Sequence, residues 1–355
     1  HIPRARPDLQ QLDKAIAALK AAKKPLIISG GGVRYSLAEE ILGNFAQARS
    51  IPLCETIAGK GAVLHEHPAY VGGIGVTGSA SANAMAAEAD LIVAIGTRLQ
   101  DFTTGSWTSF KADAQFISIN AARFDATKHR AISVVGDARE SVREMDAALD
   151  DWSAPDTWME KGRDEMAKWD SLIDELQKPS NAHIPSYAQV IKVVQDNAKT
   201  EDLVITAAGG PPGEVNKCWR VKAPNTVDTE FGFSCMGYEI PAAMGVRWAT
   251  PDTSKRVLSF VGDGTFVMAP TELVTACQEH LRLTIVVAEN HGYQVIRRLQ
   301  MWRSGSHFGN EFRYREGDSM VTEDGAGRLE GDYLDIDIVK MAEGMGAKAL
   351  RPVTA

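Results

Sequence analysis

Short apolar, β-branched runs recur along the chain at residues 26–29, 91–95, 116–119, 203–206, 257–261 and 283–287. Each is of strand length and lacks polar alternation, the pattern of a strand covered on both faces. Between them, apolar residues return at helical spacing over 9–22, 38–48 and 185–198. Strands alternating with amphipathic helices predict an α/β protein with parallel sheets. Several strands run into glycine, at Gly30-Gly31-Gly32, Gly96, Gly209-Gly210 and Gly262-Asp263-Gly264. Ligands of open parallel sheets sit at the carboxyl ends of strands, so these turns are where chemistry is expected.

The pattern changes near residues 150–185. Residues 154–177 are charged and include Trp158 and Trp169, and Lys178-Pro179-Ser180-Asn181 follows. This reads as a connecting helix and a linker. The expected division is a first doubly wound domain at 1–152, the connector at 153–180 and a second doubly wound domain at 181–355. The chain opens at His1 with a helix pattern close behind, and 348–351 read like an unfinished strand. Both features suggest a fragment of something longer.

Composition narrows the function classes. The chain has 355 residues, 44% apolar and 24% charged, with a net charge of −8. No basic block is present, which argues against nucleic acid. The longest apolar runs are strand-sized, and no signal peptide is visible, so neither a membrane nor export is expected. The four cysteines, Cys54, Cys218, Cys235 and Cys277, form no CxxC pair. They are expected to be buried thiols in a reducing cytoplasm.

The strongest local signal is Gly262-Asp263-Gly264-Thr265 after the strand at 257–261. A helix pattern at 271–279, opened by Pro270, leads to the strand at 283–287 and then to Glu289-Asn290-His291-Gly292-Tyr293. A strand–helix–strand crossover brings Asp263 and Asn290 to one sheet edge. A carboxylate, an amide oxygen and a backbone carbonyl suit a hard cation such as Mg2+ on a diphosphate. Glycine beside the cation lets the backbone approach the phosphates, and the positive end of the next helix favours an anion. Gly-Asp-Gly alone is usually a plain turn.

With the crossover and the spaced Asn-x-Gly, the pattern resembles the thiamine diphosphate motif of the acetohydroxyacid synthase and pyruvate oxidase superfamily. The resemblance implies Mg2+ ligation by the side chains of Asp263 and Asn290 and by the carbonyl of Gly292. One departure is Glu289, where the family often has a first Asn. Gly262, Gly264, Thr265 and Tyr293 then belong to the cofactor loops. The run 231–243, from Phe231 through Ser234-Cys235-Met236-Gly237, resembles the segment that supports the cofactor rings. It implies Met236 as the apolar wedge and the Ser234 carbonyl as acceptor of the aminopyrimidine N–H. A core Met remains the plain alternative. The turn at Gly209-Gly210 would supply amides to the diphosphate.

Residues 24–150 resemble the superfamily's central domain. Gly30-Gly31-Gly32 does not spell a dinucleotide fingerprint, because Arg34 and Tyr35 follow, so FAD or NAD is not expected. Within the superfamily, the stretches 97–106, 231–239 and 308–315 with 329–333 look like those of the trihydroxycyclohexane-dione hydrolases of inositol breakdown. That branch opens a cyclic 1,2-diketone hydrolytically to 5-deoxyglucuronate. A neutral polyol ketone calls for hydrogen-bonding groups. Gln294, Arg297 and Gln300 form one candidate wall, and His307, Asn310 and Arg313 another, although arginines are commonly solvated or salt-bridged. His291 is a candidate proton relay, while His65 and His67 read as surface loop residues.

The resemblance also implies an activating glutamate on an N-terminal pyrimidine-binding domain that would precede His1. It implies a second subunit, in a homodimer or homotetramer. The catalytic Glu therefore has no number here, and this chain alone is expected to turn over little. Two rival readings stand: another superfamily enzyme, such as an acetohydroxyacid synthase, or a non-catalytic scaffold that kept the fold.

Overall fold

The computed structural model describes residues 3–180, 184–230, 232–316 and 329–352. Asn181 of the expected linker, Phe231 of the aromatic run and the terminal His1 lie outside the described residues. The chain forms two compact units. The first holds residues up to Pro179 with Val194–Asp196 and Asn216–Asp228, and the second holds the rest.

The first unit carries six strands, β1 (Pro25–Ser29), β2 (Leu53–Glu55), β3 (Tyr70–Gly73), β4 (Leu91–Ile95), β5 (Gln115–Asn120) and β6 (Ile132–Val135). Their order is β3-β2-β1-β4-β5-β6 and the pairings are parallel. This is the doubly wound order, with the chain reversing its direction of travel between β1 and β4. Successive residues of β1 and β4 feed opposite faces. Ile27, Leu91, Val93 and Ile95 pack with Leu12, Leu19, Phe45 and Met145. Leu26, Ile28, Ile92 and Ala94 pack with Met85, Ala86 and Trp158. A strand buried on both faces needs apolar residues at every position, which is why these runs show no alternation.

The glycines after β1 and β4 serve close packing. A Cβ on Gly30 would lie 2.3 Å from the Gly96 carbonyl oxygen, and the Gly32 N–H donates to that same oxygen at 2.9 Å. The helix expected as a connector, Asp156–Leu176, instead packs into the first unit, burying Trp158, Met159, Gly162, Met166 and Ile173. Its Trp158 indole N–H donates to the Pro25 carbonyl at 2.8 Å. Tryptophan at that position is a core residue with a satisfied polar tip.

The second sheet has β7 (Leu203–Thr206), β8 (Val227–Thr229), β9 (Val257–Gly262) and β10 (Thr284–Ala288), in the order β10-β9-β7-β8. β9 pairs in parallel with both β10 and β7. Two α/β units with parallel sheets are the architecture expected from the alternating pattern. Residues 348–351 are not a strand. Leu350 is 80% exposed, so no apolar face holds that segment to a sheet edge. No helix among the described residues is long and apolar enough to cross a membrane.

Candidate functional site

Register places the chemistry. Ala288 of β10 pairs with Gly262 of β9, so the residues that follow each strand emerge side by side. The Asp263 carboxylate is 2% exposed and gathers three backbone N–H groups. Gly264 donates to Oδ1 at 2.7 Å, Asn290 donates to Oδ2 at 3.0 Å, and Gly292 donates to Oδ2 at 3.2 Å. One carboxylate thus fixes the turn after β9 and the loop after β10.

The Asn290 carboxamide completes a triangle of oxygens. As placed, its Nδ2 donates to the Tyr187 hydroxyl. Its oxygen then faces Asp263 Oδ1 at 3.0 Å and the Gly292 carbonyl oxygen at 2.8 Å. Three acceptors with no proton between them repel. Turning the amide over would relieve this by letting Nδ2 donate to both oxygens. A cation relieves it too. Mg–O bonds of 2.0–2.1 Å put neighbouring octahedral ligands about 2.9 Å apart, close to the 3.0 and 2.8 Å separations here, which equally suit the two N–H···O bonds of the reversed amide. The residues present therefore fit a Mg2+ ion. No group of three His, Cys, Asp or Glu side chains among the described residues could hold a metal, so a hard cation would depend on these amide and backbone oxygens.

Glycines leave room beside this triangle. A Cβ on Gly209 (φ +99°) or on Gly262 would meet nothing nearer than Pro211 Cδ at 4.0 Å. Those two backbone faces, at the ends of β7 and β9, border unfilled space suited to a diphosphate. Gly264 and Gly292 are constrained differently. A Cβ on Gly264 would lie 2.8 Å from the Tyr293 ring, and one on Gly292 (φ +124°) would lie 2.5 Å from the Asn310 carbonyl oxygen. Gly292→Ala is therefore expected to cost at least about 1 kcal/mol in backbone strain and to push the 290–293 loop from Asp263. Chemical denaturation of the variant beside the wild type checks the cost; an unchanged midpoint would refute it. Thr265 is buried and Gly210 partly so.

The segment before helix Glu239–Ala249 carries Ser234 and Met236. Ser234 is exposed with φ +55°, Gly237 has φ +93°, and Met236 is half-buried. Two carboxylates hold the segment. Glu230 accepts the N–H groups of Phe233 at 2.9 Å and Cys235 at 2.8 Å. Burial acts to raise its pKa, but these backbone donors outweigh it and hold the carboxyl below its ordinary range. Glu239 is fully buried and accepts from Ala208 N at 3.2 Å and Gly237 N at 3.1 Å. It ties the turn after β7 to the Met236 segment, and burial pushes its pKa up. Cys235, expected to be buried, is exposed, because it sits in the turn gathered around Glu230, which both its backbone N–H and its side chain meet. Cys54 and Cys218 are buried.

The residues read as substrate walls gather around Glu311, for which the sequence offers no expectation. Gln294 Nε2 donates to Glu311 Oε1 at 3.2 Å, Arg313 Nε donates to Oε2 at 3.1 Å, and Arg297 Nε lies 3.2 Å from Oε2. The Tyr333 hydroxyl donates to Oε1 at 2.9 Å. Asn310 and Gln300 bond to each other at 2.5 Å, and His307 is half-buried. The Asn310 carbonyl accepts the Tyr293 N–H at 2.6 Å, and the His291 carbonyl accepts the Phe312 N–H at 2.9 Å. Residues 310–312 thus run along the 290–293 loop like a short antiparallel strand. His291 is exposed and stacks on Tyr333 with ring centroids 4.2 Å apart. His65 and His67 are half-buried, unlike the surface residues expected. His65 pairs with Asp170 at 3.1 Å, and His67 Nδ1 accepts the Ala69 N–H at 3.2 Å.

Tyr187, Glu239 and Glu311 carry no sequence signal of a role. Each acts on residues far away in sequence through a contact that only folding creates. The one visible hint is a charged residue inside an otherwise apolar segment at Glu239.

Comparison with known proteins adds the following. A family model described as "Thiamine pyrophosphate enzyme, central domain" matches residues 12–145. One described as "Thiamine pyrophosphate enzyme, C-terminal TPP binding domain" matches residues 207–355. The chain is similar to a 3D-(3,5/4)-trihydroxycyclohexane-1,2-dione hydrolase of Clostridium perfringens, with 36% identity over 96% of this chain and 55% of that protein. A protein of the same name from Geobacillus thermodenitrificans is 37% identical over 98% of this chain and 56% of its own length. One from Clostridium tetani is 36% identical over 99% and 57%. The chain thus spans just over half the length of these relatives.

Proposed function

The chain belongs to the thiamine pyrophosphate enzyme family, and from that premise we propose that it forms the diphosphate-holding part of an enzyme that opens trihydroxycyclohexane-1,2-dione by hydrolysis of a C–C bond to 5-deoxyglucuronate, in myo-inositol breakdown. The observation that carries the cofactor part is the oxygen triangle of Asp263, Asn290 and Gly292 beside the open glycine faces of Gly209 and Gly262. The substrate part is supported by identities of 36–37% to relatives bearing that name.

In this reading Asp263 Oδ1, Asn290 Oδ1 and the Gly292 carbonyl hold Mg2+. The turns at Gly209-Gly210 and at Gly262-Asp263-Gly264-Thr265 receive the diphosphate, with Tyr293 packed behind Gly264. Ser234 and Met236 face the cofactor rings. Bound thiamine diphosphate supplies a carbon nucleophile and a sink for the electrons of the broken bond. The substrate side is the helix face of Gln294, Arg297 and Gln300, with Asn310 and Arg313. Glu311 offsets part of the two arginine charges, leaving a hydrogen-bonding surface that suits a neutral polyol ketone. The whole protein would act as a homodimer or homotetramer.

The test is an assay of the full-length protein on the cyclic dione. Turnover is expected to need both thiamine diphosphate and Mg2+, to stop on adding EDTA, and to yield one product heavier than the substrate by one water. Carbon dioxide release from 2-oxoacids, with the dione untouched, would replace the substrate assignment by that of a 2-oxoacid enzyme.

A further inference from the structure

A carboxamide offers a cation only one of its two ends, so the Asn290 side chain must be held the right way round. Tyr187 opens helix Tyr187–Asn197 and stands at the point where that choice is made. Its hydroxyl meets Asn290 Nδ2. Its ring lies against Gly210, where a Cβ would be 3.0 Å from Cε2 and 3.1 Å from the hydroxyl oxygen. The ring therefore occupies the space that a side chain at position 210 would take, which seats the hydroxyl beside the amide.

The two amide orientations depend on that hydroxyl unequally. In the cation-binding sense, Nδ2 donates to Tyr187 and the oxygen faces Asp263 Oδ1 and the Gly292 carbonyl. In the reversed sense, Nδ2 donates to those two oxygens and the amide oxygen accepts from Tyr187. Removing the hydroxyl strips the cation-binding orientation of the Nδ2 partner seen here. The reversed orientation keeps both of its donated bonds and loses only an acceptor contact. An unpaired, partly buried donor is costly, so the amide would rest reversed and the cation would have to turn it back.

We propose that Tyr187 is a positioning residue that keeps the Asn290 oxygen turned toward the bound cation. The inference rests on the Mg2+ reading above. Groups that orient a metal ligand typically change metal affinity 10- to 100-fold when removed. A carboxylate in place of the Asn290 amide has no wrong end, because either of its oxygens can face the cation. The influence of Tyr187 should then vanish.

The experiment measures Mn2+ affinity of the full-length protein with thiamine diphosphate present, from the spectrum of free Mn2+. Four proteins are compared: wild type, Tyr187→Phe, Asn290→Asp and the double variant. Tyr187→Phe is expected to raise the Mn2+ Kd about 10-fold when Asn290 is intact and to leave it unchanged in the Asn290→Asp background. An unchanged Kd in Tyr187→Phe, or an equal loss in both backgrounds, would overturn the inference and leave the metal site standing, since equal loss marks mere packing. Wild type that takes up no Mn2+ would overturn the metal site and the inference with it.

Discussion

Asp263→Ala is expected to lower the affinity for thiamine diphosphate with Mg2+ by at least about 100-fold, through two losses at one atom group. The first is the only charged ligand of the proposed cation, since the other two are an amide and a carbonyl. The second is structural. The carboxylate accepts N–H groups from Gly264, Asn290 and Gly292, and truncation leaves these donors without it. A buried donor left unpaired costs about 1–3 kcal/mol, so the 290–292 loop would leave the end of β9 and carry two ligands with it. Asp263→Asn separates the losses. It keeps an acceptor and the side-chain volume but removes the charge, so its affinity should fall between those of wild type and Asp263→Ala. Calorimetric titration with thiamine diphosphate at fixed Mg2+ measures the order. Unfolding without Mg2+ isolates the structural part, where Asp263→Ala should melt lower than Asp263→Asn. Wild-type affinity in Asp263→Ala would remove the cation from this site.

How much of this is legible in the sequence follows from the range of each interaction. The strands at 91–95 and 203–206 end where the pattern places them, because a run buried on both faces declares itself in every residue. The three residues of Leu53–Glu55 and the glycine-rich Tyr70–Gly73 are too short to show a period, and they are strands because β1 supplies an edge to the first and the first supplies one to the second. The pairing of Asp263 with Asn290, 27 positions on, is legible because a crossover returns the chain to the same edge. The helix Asp156–Leu176 reads as a connector because its charged residues outnumber its apolar ones. Only five of its positions are buried, and their value depends on β3 being there to receive them. Tyr187 meets Asn290 across 103 positions, and no local pattern encodes a contact of that span.

Glu311→Gln is expected to destabilise the second unit near neutral pH and to do so less as the solution is acidified. Burial works against the Glu311 charge. Gln294, Tyr333, Arg313 and Arg297 overcome it and hold the carboxyl at about 2, against an ordinary value of 4.5. At full effect that gap is worth about 3 kcal/mol. Arg297 and Arg313 are 33% and 24% exposed, and solvent screening reduces the figure to about 2 kcal/mol. The sign is that of a depressed carboxylate. Its stabilisation is complete above the unfolded value of 4.5 and is lost as pH falls from there toward about 2. Urea unfolding of wild type and Glu311→Gln should therefore differ most near pH 7, with the gap narrowing below about pH 4.5. A gap that stays constant with pH would mean that Glu311 acts by shape and not by charge. The functional consequence runs through Gln294, whose Nε2 donates both to Glu311 and to the Asn290 carbonyl at 3.0 Å. Loosening Glu311 releases one of the restraints on the 290–293 loop, so on the proposed reading cofactor affinity should weaken in the same variant, by less than in Asp263→Ala.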